Sequence, residues 1–296
     1  MTIAFIGLGN MGGPMAANLV KAGHNVLGFD FSAAALDKAR EAGVAIAKSS
    51  AEAVAQADVV ITMLPTGKHL LSALEAEDGI LRAAKKGALL IDCSTVDMAS
   101  AREAHALAAQ RGLKSVDAPV SGGVGGAVGA TLTFMVGGAD DAATLAKPIL
   151  EQMGKKIVHC GAAGAGQAAK ICNNMILGIS MIAVSEAFNL GEKLGLSHQA
   201  LFDVASTASG QCWSLTSYCP VPGPVPTSPA NRDYAPGFAA ALMLKDLNLS
   251  QSAAEGSGAY TPLGRRAAEI FSAFANNGGA EKDFSGIIEF LRAAEG

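Results

Sequence analysis

Thr2-Ile3-Ala4-Phe5-Ile6-Gly7-Leu8-Gly9-Asn10-Met11-Gly12 is the stretch whose reading decides the fold. Ile3–Ile6 is a short apolar run of strand type, and the segment opened by Gly12 reads as a helix to Lys21. Between them Gly7 permits a tight turn, Gly9 lets the backbone approach a pyrophosphate, and Gly12 lets the helix pack on the strand. The helix start then attracts the anion. A second strand, Asn25–Phe29, ends in Asp30, 18 residues beyond Gly12. A carboxylate there can accept hydrogen bonds from the hydroxyls of an adenosine ribose. The same charge repels a 2′-phosphate, and Phe31-Ser32 offers no arginine to pair with one, so NAD is preferred over NADP.

Further along, Val59–Leu64, Ala88–Ile91, Ser115–Ala118, Leu132–Val136 and Ile157–Cys160 continue the strand rhythm, separated by Ala-rich helical stretches. Such alternation predicts an α/β fold with an N-terminal Rossmann-type doubly wound, mostly parallel sheet, because parallel neighbours need crossover connections. After residue 162 strands disappear. Gln167–Leu194, Gln199–Ala208, Gly237–Ser257, Pro262–Asn276 and Phe284–Ala294 read as helices, several apolar on every face. Two domains are expected, 1–162 for the dinucleotide and 163–296 as an all-α domain for substrate and oligomerisation, in keeping with a length of 296 residues. The prolines of Pro220-Val221-Pro222-Gly223-Pro224-Val225-Pro226 forbid a helix and predict a shaped loop or a stiff linker.

Half the residues are hydrophobic and 16% charged, with a formal net charge of -4, as in a compact globular chain. That balance, with no Lys/Arg run, offers no surface for nucleic acid. Five scattered cysteines without a Cys-x-x-Cys pair argue against disulfides or zinc and suit a reducing compartment. No secretory signal is visible, so a cytoplasmic location is expected, with an organelle matrix as the alternative. Ile171–Leu190 approaches membrane-spanning length but carries Asn173, Asn174, Glu186 and Asn189, and reads as a buried helix rather than a membrane span. The histidines stand singly, so no metal is expected.

Four segments fall where strand-end loops should meet ligands. Met63-Leu64-Pro65-Thr66 ends one strand and could shape the dinucleotide pocket. Asp92-Cys93-Ser94-Thr95 ends the next, its hydroxyls able to bond a ligand or to cap the following helix. In Asp117-Ala118-Pro119-Val120-Ser121-Gly122-Gly123 the bare glycine backbone and the Ser121 hydroxyl can cradle a carboxylate, or form an ordinary turn. Gly161 to Asn174 lies at the domain junction. Lys170 and Asn174, four apart on a helix, share a face, with Lys170 in or near the first turn. The helix dipole and apolar surroundings there disfavour an ammonium, which suits proton transfer near neutral pH. A surface lysine with a snorkelling stem is the alternative. Asn174 could hold a substrate hydroxyl or the lysine.

Together, Gly7-Leu8-Gly9-x-Met11-Gly12, Asp117-x-Pro119-x-Ser121-Gly122-Gly123, Gly161-x-x-Gly164-x-Gly166-x-x-x-Lys170-x-x-x-Asn174 and Lys245-Asp246-Leu247 resemble the β-hydroxyacid dehydrogenases from end to end. Lys170 to Met175, Ser209-Gly210-Gln211-Cys212-Trp213-Ser214, Tyr218-x-Pro220-Val221-Pro222-Gly223, Gly237-Phe238 and Asp283-Phe284-Ser285 are similar to the 3-hydroxyisobutyrate dehydrogenase branch. The resemblance implies oxidation of 3-hydroxyisobutyrate to methylmalonate semialdehyde, a step of valine catabolism. Hydride would pass to the nicotinamide, Lys170 would act as acid/base, and Asn174 would position the substrate. It implies Ser121, Gly122 and Gly123 at the carboxylate, Trp213 and Phe238 at the pocket wall with Asp246 nearby, and Lys245 at the cofactor edge. Trp213 and Phe238 could equally be packing or interface residues. Gly7, Leu8, Gly9, Asn10, Met11, Gly12, Asp30, Leu64, Pro65 and Thr95 complete the expected cofactor contacts. Where relatives have glycine before the Thr-Leu of the next strand, this chain has Ala130, with Gly129 one place early. L-serine, glycerate and tartronate semialdehyde are alternative substrates. Imine reduction is disfavoured by Lys170, and a redox-sensing NAD-binding module without turnover would not need Lys170 and Asn174. The surplus of apolar helix predicts a homodimer or homotetramer.

Overall fold

The computed structural model describes residues 1–293. By compactness the chain divides into one unit spanning Met1–Lys170 and a second from Ile171 onward. The strands of the first are β1 (Thr2–Ile6), β2 (Asn25–Phe29), β3 (Ala45–Ile46), β4 (Val59–Thr62), β5 (Leu89–Asp92), β6 (Lys114–Asp117), β7 (Val120–Ser121), β8 (Leu132–Gly137) and β9 (Gly154–Gly161). They form one sheet in the order β3-β2-β1-β4-β5-β6-β8-β7, with β9 also paired to β8. Every pairing from β3 across to β6 is parallel; β8 runs antiparallel to β6 and β7. The chain winds outward through β2 and β3 and then restarts at β4 on the other side of β1. The topological switch point therefore lies beyond the carboxyl ends of β1 and β4. All the strands expected from the sequence are present. The two that were not, β3 and β7, are two residues each and too short to show a period.

Alternation along β1 shows why the sheet needs helices on both sides. Ile3 and Phe5 enter one core with Met15 and Leu19, while Ala4 and Ile6 enter another with Leu70, Leu74 and Ile80. Each fully buried large side chain of this kind contributes roughly 1.5–3 kcal/mol. The final residues of β4, β5 and β6 break the apolar rule. Thr62 is aligned with Asp92, Asp92 with Asp117, and Asp117 with Gly137. A polar rung thus crosses the carboxyl end of an otherwise apolar sheet.

The long helix Ala165–Lys193 begins in the first unit and continues into the second, which is helical, with His198–Ala205, Trp213–Thr216, Ala240–Ser257, Pro262–Phe274 and Ile287–Ala293. Trp213–Thr216 was not expected. The helix expected from Gly237 starts at Ala240, because the Gly237 and Phe238 amides donate instead to Asp283 Oδ2. The one expected to reach Asn276 ends at Phe274, before a kink at Asn277 and Gly278. The last starts as a 3-10 turn at Phe284–Gly286, and its expected end, Ala294, lies outside the described residues. The proline-rich segment is a packed loop: Val221 and Val225 are buried, and the Tyr234 hydroxyl donates to the Pro220 carbonyl (2.9 Å). The long helix has the length and apolarity to cross a membrane, but only 44% of its most apolar window is buried. Ile176 and Leu190 face outward, so within this chain the expected buried helix is covered along one side.

Candidate active site

The glycine turn after β1 is built for close approach. Gly7 has φ 96°, and a Cβ there would stand 2.3 Å from the Met63 carbonyl oxygen, while one on Gly12 would stand 1.9 Å from that of Gly7. Gly9, by contrast, has open space where its side chain would be. The turn closes against the end of β4 and leaves its tip clear for a ligand. The helix Gly12–Lys21 starts here, its first amides lying ahead of the intrahelical ladder that begins with Gly13 donating to the Gly9 carbonyl (3.0 Å). Asn10 is exposed and Met11 half-buried at this start. Asp30 is held beside the turn: Oδ2 accepts from the Leu8 amide (2.7 Å) and Oδ1 from the Ser32 amide (2.8 Å). Leu8 therefore acts by fixing this carboxylate, and its side chain belongs to the core. Each carboxylate oxygen retains a lone pair for a ribose hydroxyl. These residues fit NAD.

The polar rung ties the neighbouring loops together. Asp92 Oδ1 accepts from the Thr62 hydroxyl (2.7 Å) and the Ser94 amide (3.1 Å), and Ser94 Oγ accepts from the Leu64 amide (2.8 Å). Ser94 is fully buried, so its hydroxyl meets no ligand; nor does it cap the next helix, which Asp97 caps through the Ser100 amide. Pro65 is exposed and Thr95 half-buried beside these anchors. Asp117, also buried, accepts from the Gly164 amide (2.8 Å) and the Gln167 amide (2.9 Å), and its Oδ1 pairs with His105 Nε2 (2.9 Å). Burial pushes the Asp92 carboxyl up to about 6, with the neighbouring Asp117 charge adding to the rise and hydrogen bonds from Ser94 and Thr62 opposing it. Sequence reading singled out neither Asp92, Asp117 nor Gln167 as a site residue. The available signal was a polar residue closing each apolar strand.

Lys170 lies in the second turn of the long helix, which starts at Ala165 rather than Gln167. The dipole decays within the first turn, so it contributes less here than expected. Lys170 is 7% exposed, which removes the snorkelling surface alternative. Ser121 is half-buried in β7, opposite Thr133. Gly122 (φ 137°) and Gly123 (φ 62°) then turn the chain into the short helix Gly123–Val128. This segment is an ordered strand-to-helix turn, with Gly122 exposed at its corner. After that helix, Ala130 takes the left-handed conformation (φ 51°) while Gly129 does not (φ -82°).

In the second unit, Asn174 is buried and its Nδ2 donates to Asp246 Oδ2 (2.5 Å), while its Oδ1 accepts from Asn173 Nδ2 (3.0 Å). Lys245 Nζ stands 3.5 Å from Asp246 Oδ1. Asp246 is thus engaged with Asn174 and Lys245. Trp213, 51% exposed, stacks on Tyr218 (centroids 4.9 Å), Tyr218 stacks on Phe284, and Phe284 meets Phe238 edge-on. Trp213 and Phe238 therefore belong to one aromatic ladder. Its anchor was not foreseen: the buried Asp283 accepts from the Tyr218 hydroxyl (2.9 Å) and from the Ser285 amide and hydroxyl.

Comparison with known proteins agrees with this geometry in both halves. Residues 2–161 match the family described as the NAD binding domain of 6-phosphogluconate dehydrogenase. Residues 164–291 match that described as the NAD-binding of NADP-dependent 3-hydroxyisobutyrate dehydrogenase. A Mycobacterium tuberculosis protein named "Probable 3-hydroxyisobutyrate dehydrogenase" is 57% identical over 99% of this chain and 98% of its own length. The chain belongs to the 3-hydroxyisobutyrate dehydrogenase family. The solved structure of the Mycobacterium tuberculosis 3-hydroxyisobutyrate dehydrogenase with L-serine superposes with a TM-score of 0.93 at 56% identity, covering 98% of each chain. Within the similar set, the NAD-dependent L-serine dehydrogenase of Pseudomonas aeruginosa is 46% identical over 99% of both chains. The protein is accordingly an NAD-dependent oxidoreductase of the β-hydroxyacid dehydrogenase class, not a binding module without turnover. The description of the second matched family mentions NADP, but the nucleotide turn of this chain carries Asp30, and NAD is its cofactor.

Proposed function

We propose that this enzyme oxidises 3-hydroxyisobutyrate to methylmalonate semialdehyde, the valine-catabolic step, with Lys170 as its acid/base group. The observation that carries the proposal is the burial of Lys170 on a helix whose start is pinned by Asp117. NAD supplies the hydride acceptor. The protein's part is to hold the substrate carboxylate at the Ser121-Gly122-Gly123 corner through a hydroxyl and backbone amides. It also takes the hydroxyl proton onto the neutral Lys170 amine as the C–H hydride departs. Asn174, its amide turned by Asp246, positions the hydroxyl, and Trp213 and Phe238 shape the wall around the substrate's small substituent. Gly7 to Gly12, Asp30, Leu64, Pro65, Thr95 and Lys245 hold the dinucleotide.

L-serine is the second reading, favoured by the Pseudomonas aeruginosa relative named for that activity and by the related structure solved with L-serine. The two substrates differ by a methyl against an ammonium group, so the wall around that substituent decides between them. Steady-state kcat/KM for 3-hydroxyisobutyrate, L-serine and glycerate with NAD tests the choice, and a better value for either of the latter overturns it. Lys170→Ala should keep NAD binding and lose roughly 100- to 10,000-fold in kcat; substantial turnover at neutral pH would refute the assignment. A homodimer or homotetramer is the proposed form, since Ile176, Leu190, Leu194 and Val204 are all exposed apolar side chains; the cytoplasm is its proposed location. A monomer by light scattering would exclude the oligomer.

A further inference from the structure

We infer that Gln167 is a positioning residue that couples the loop carrying Thr95 to the helical turn carrying Lys170. The inference rests on the reading of Lys170 as the proton acceptor. Gln167 is fully buried, and burying an amide is costly unless both its ends are bonded. Both are. Nε2 donates to the Ser94 carbonyl (2.7 Å), and Oε1 accepts from the Val96 amide (3.1 Å). A carbonyl can only accept and a backbone N–H can only donate, so the amide has a single orientation. Its two partners flank Thr95, fixing that residue from either side. The Gln167 backbone amide donates to Asp117 Oδ2, which ties the same residue to the end of β6.

Lys170 follows three residues later, one turn along and on the same side of the helix. The turn itself cannot slide. A Cβ on Gly166 would stand 2.3 Å from the Met135 carbonyl oxygen, and one on Gly137 2.6 Å from the Gly166 nitrogen. Asp117 and these glycines hold the helix start against β6 and β8 without the Gln167 side chain. What that side chain adds is the link to the loop of β5. Cutting it should leave the fold, the Gly7–Gly12 turn and the Asp30 anchor of the dinucleotide in place while loosening Thr95 relative to Lys170. In hydride and proton transfer, a misplacement of about 1 Å is enough to cost on the order of 100-fold in rate.

The test compares Gln167→Met, Gln167→Glu and Lys170→Ala with the unmodified enzyme, using its better substrate of 3-hydroxyisobutyrate and L-serine. NADH affinity is read by fluorescence, together with kcat, KM and the isotope effect for substrate deuterated at the hydroxyl-bearing carbon. Gln167→Met is expected to bind NADH within about 3-fold of normal, lose roughly 10- to 100-fold in kcat and show a larger isotope effect, as hydride transfer becomes limiting. Gln167→Glu adds a signature that mere destabilisation lacks. Its carboxylate repels the Ser94 carbonyl, whereas its protonated form donates to that carbonyl and still accepts from Val96, as the amide does. The ratio of its kcat to that of the unmodified enzyme should rise at least about 10-fold from roughly pH 9 to roughly pH 6, burial raising the pKa of the introduced acid. A Gln167→Met enzyme with kcat within about 3-fold of normal, or with a reduced kcat and an unchanged isotope effect, overturns the inference. If Gln167→Met does not fold, the Gln167→Glu ratio decides, and a ratio flat with pH overturns it. Turnover by Lys170→Ala would refute the catalyst itself. An inactive Lys170→Ala beside normal Gln167 variants would refute only the coupling.

Discussion

Asp92→Asn offers a quantitative check on the buried polar rung. The folded protein raises the Asp92 carboxyl from 3.8 to about 6, chiefly because burial penalises the charged form. The native state therefore binds this proton more tightly than the unfolded state does, and the carboxylate works against folding as pH rises. The penalty is absent below the unfolded value, grows between the two values, and is complete above the folded one. A shift of this size corresponds to about 3 kcal/mol, of which about 2 kcal/mol develops between roughly pH 4 and pH 7.5. Asparagine keeps the oxygen that accepts from Thr62 and Ser94 but cannot ionise. Its new N–H group takes the place of Oδ2, which has no hydrogen-bond partner among the described residues. That donor costs about 1–3 kcal/mol if left unbonded, although the adjoining cavity of about 10 Å³, lined by Asp92, His105, Ser115 and Asp117 among others, has room for about one water. The absolute stability of the variant at one pH is thus a compromise between two terms, whereas the pH dependence isolates the charge. Urea unfolding of both proteins across this range should show the variant gaining about 2 kcal/mol on the parent from acid to neutral pH, with the other ionisable groups cancelling in the difference. A difference independent of pH would refute the reasoning.

Two further outcomes are expected. Asp30→Ala removes the acceptor held by the Leu8 and Ser32 amides. It should lower kcat/KM for NAD by roughly 10- to 100-fold and lower the preference for NAD over NADP, since the charge that repels a 2′-phosphate is gone; an unchanged NAD/NADP ratio in steady-state assays would show that Asp30 does not face the ribose. Ala130→Gly relieves a left-handed residue (φ 51°). The relief of about 1–2 kcal/mol is partly offset by about 0.4–1 kcal/mol of extra unfolded-state entropy. The net gain should raise the thermal midpoint by about 1–3 °C, and a lower midpoint by scanning calorimetry would contradict the conformation.

The sequence was most legible where physics is local. Gly7, Gly9 and Gly12 between a strand and a helix prescribe one kind of turn whatever surrounds them, and Asp30 closes the next strand at a readable spacing. Strand period and Ala-rich crossovers likewise fixed a mostly parallel sheet followed by a helical half, while two-residue strands such as Val120–Ser121 were too short to leave a pattern. Helix ends were read less well where a distant side chain set them. Asp283 holds the amides of Gly237 and Phe238 outside the helix that follows, although it lies more than forty residues away in the chain.

What the sequence determined by itself was therefore the α/β architecture, the NAD-type turn and Lys170 as the residue to examine, because each follows from neighbours in the chain. Only the tertiary structure decided that Asp92, Asp117 and Gln167 form one buried network, that Ser94 is a tie rather than a ligand, and that Asn174 is oriented by Asp246. Apart from the local bond between Ser94 and Asp92, those bonds join residues 30 to 73 positions apart. Folding alone brings such donors and acceptors within 3 Å of one another, and burial then gives each pairing its weight.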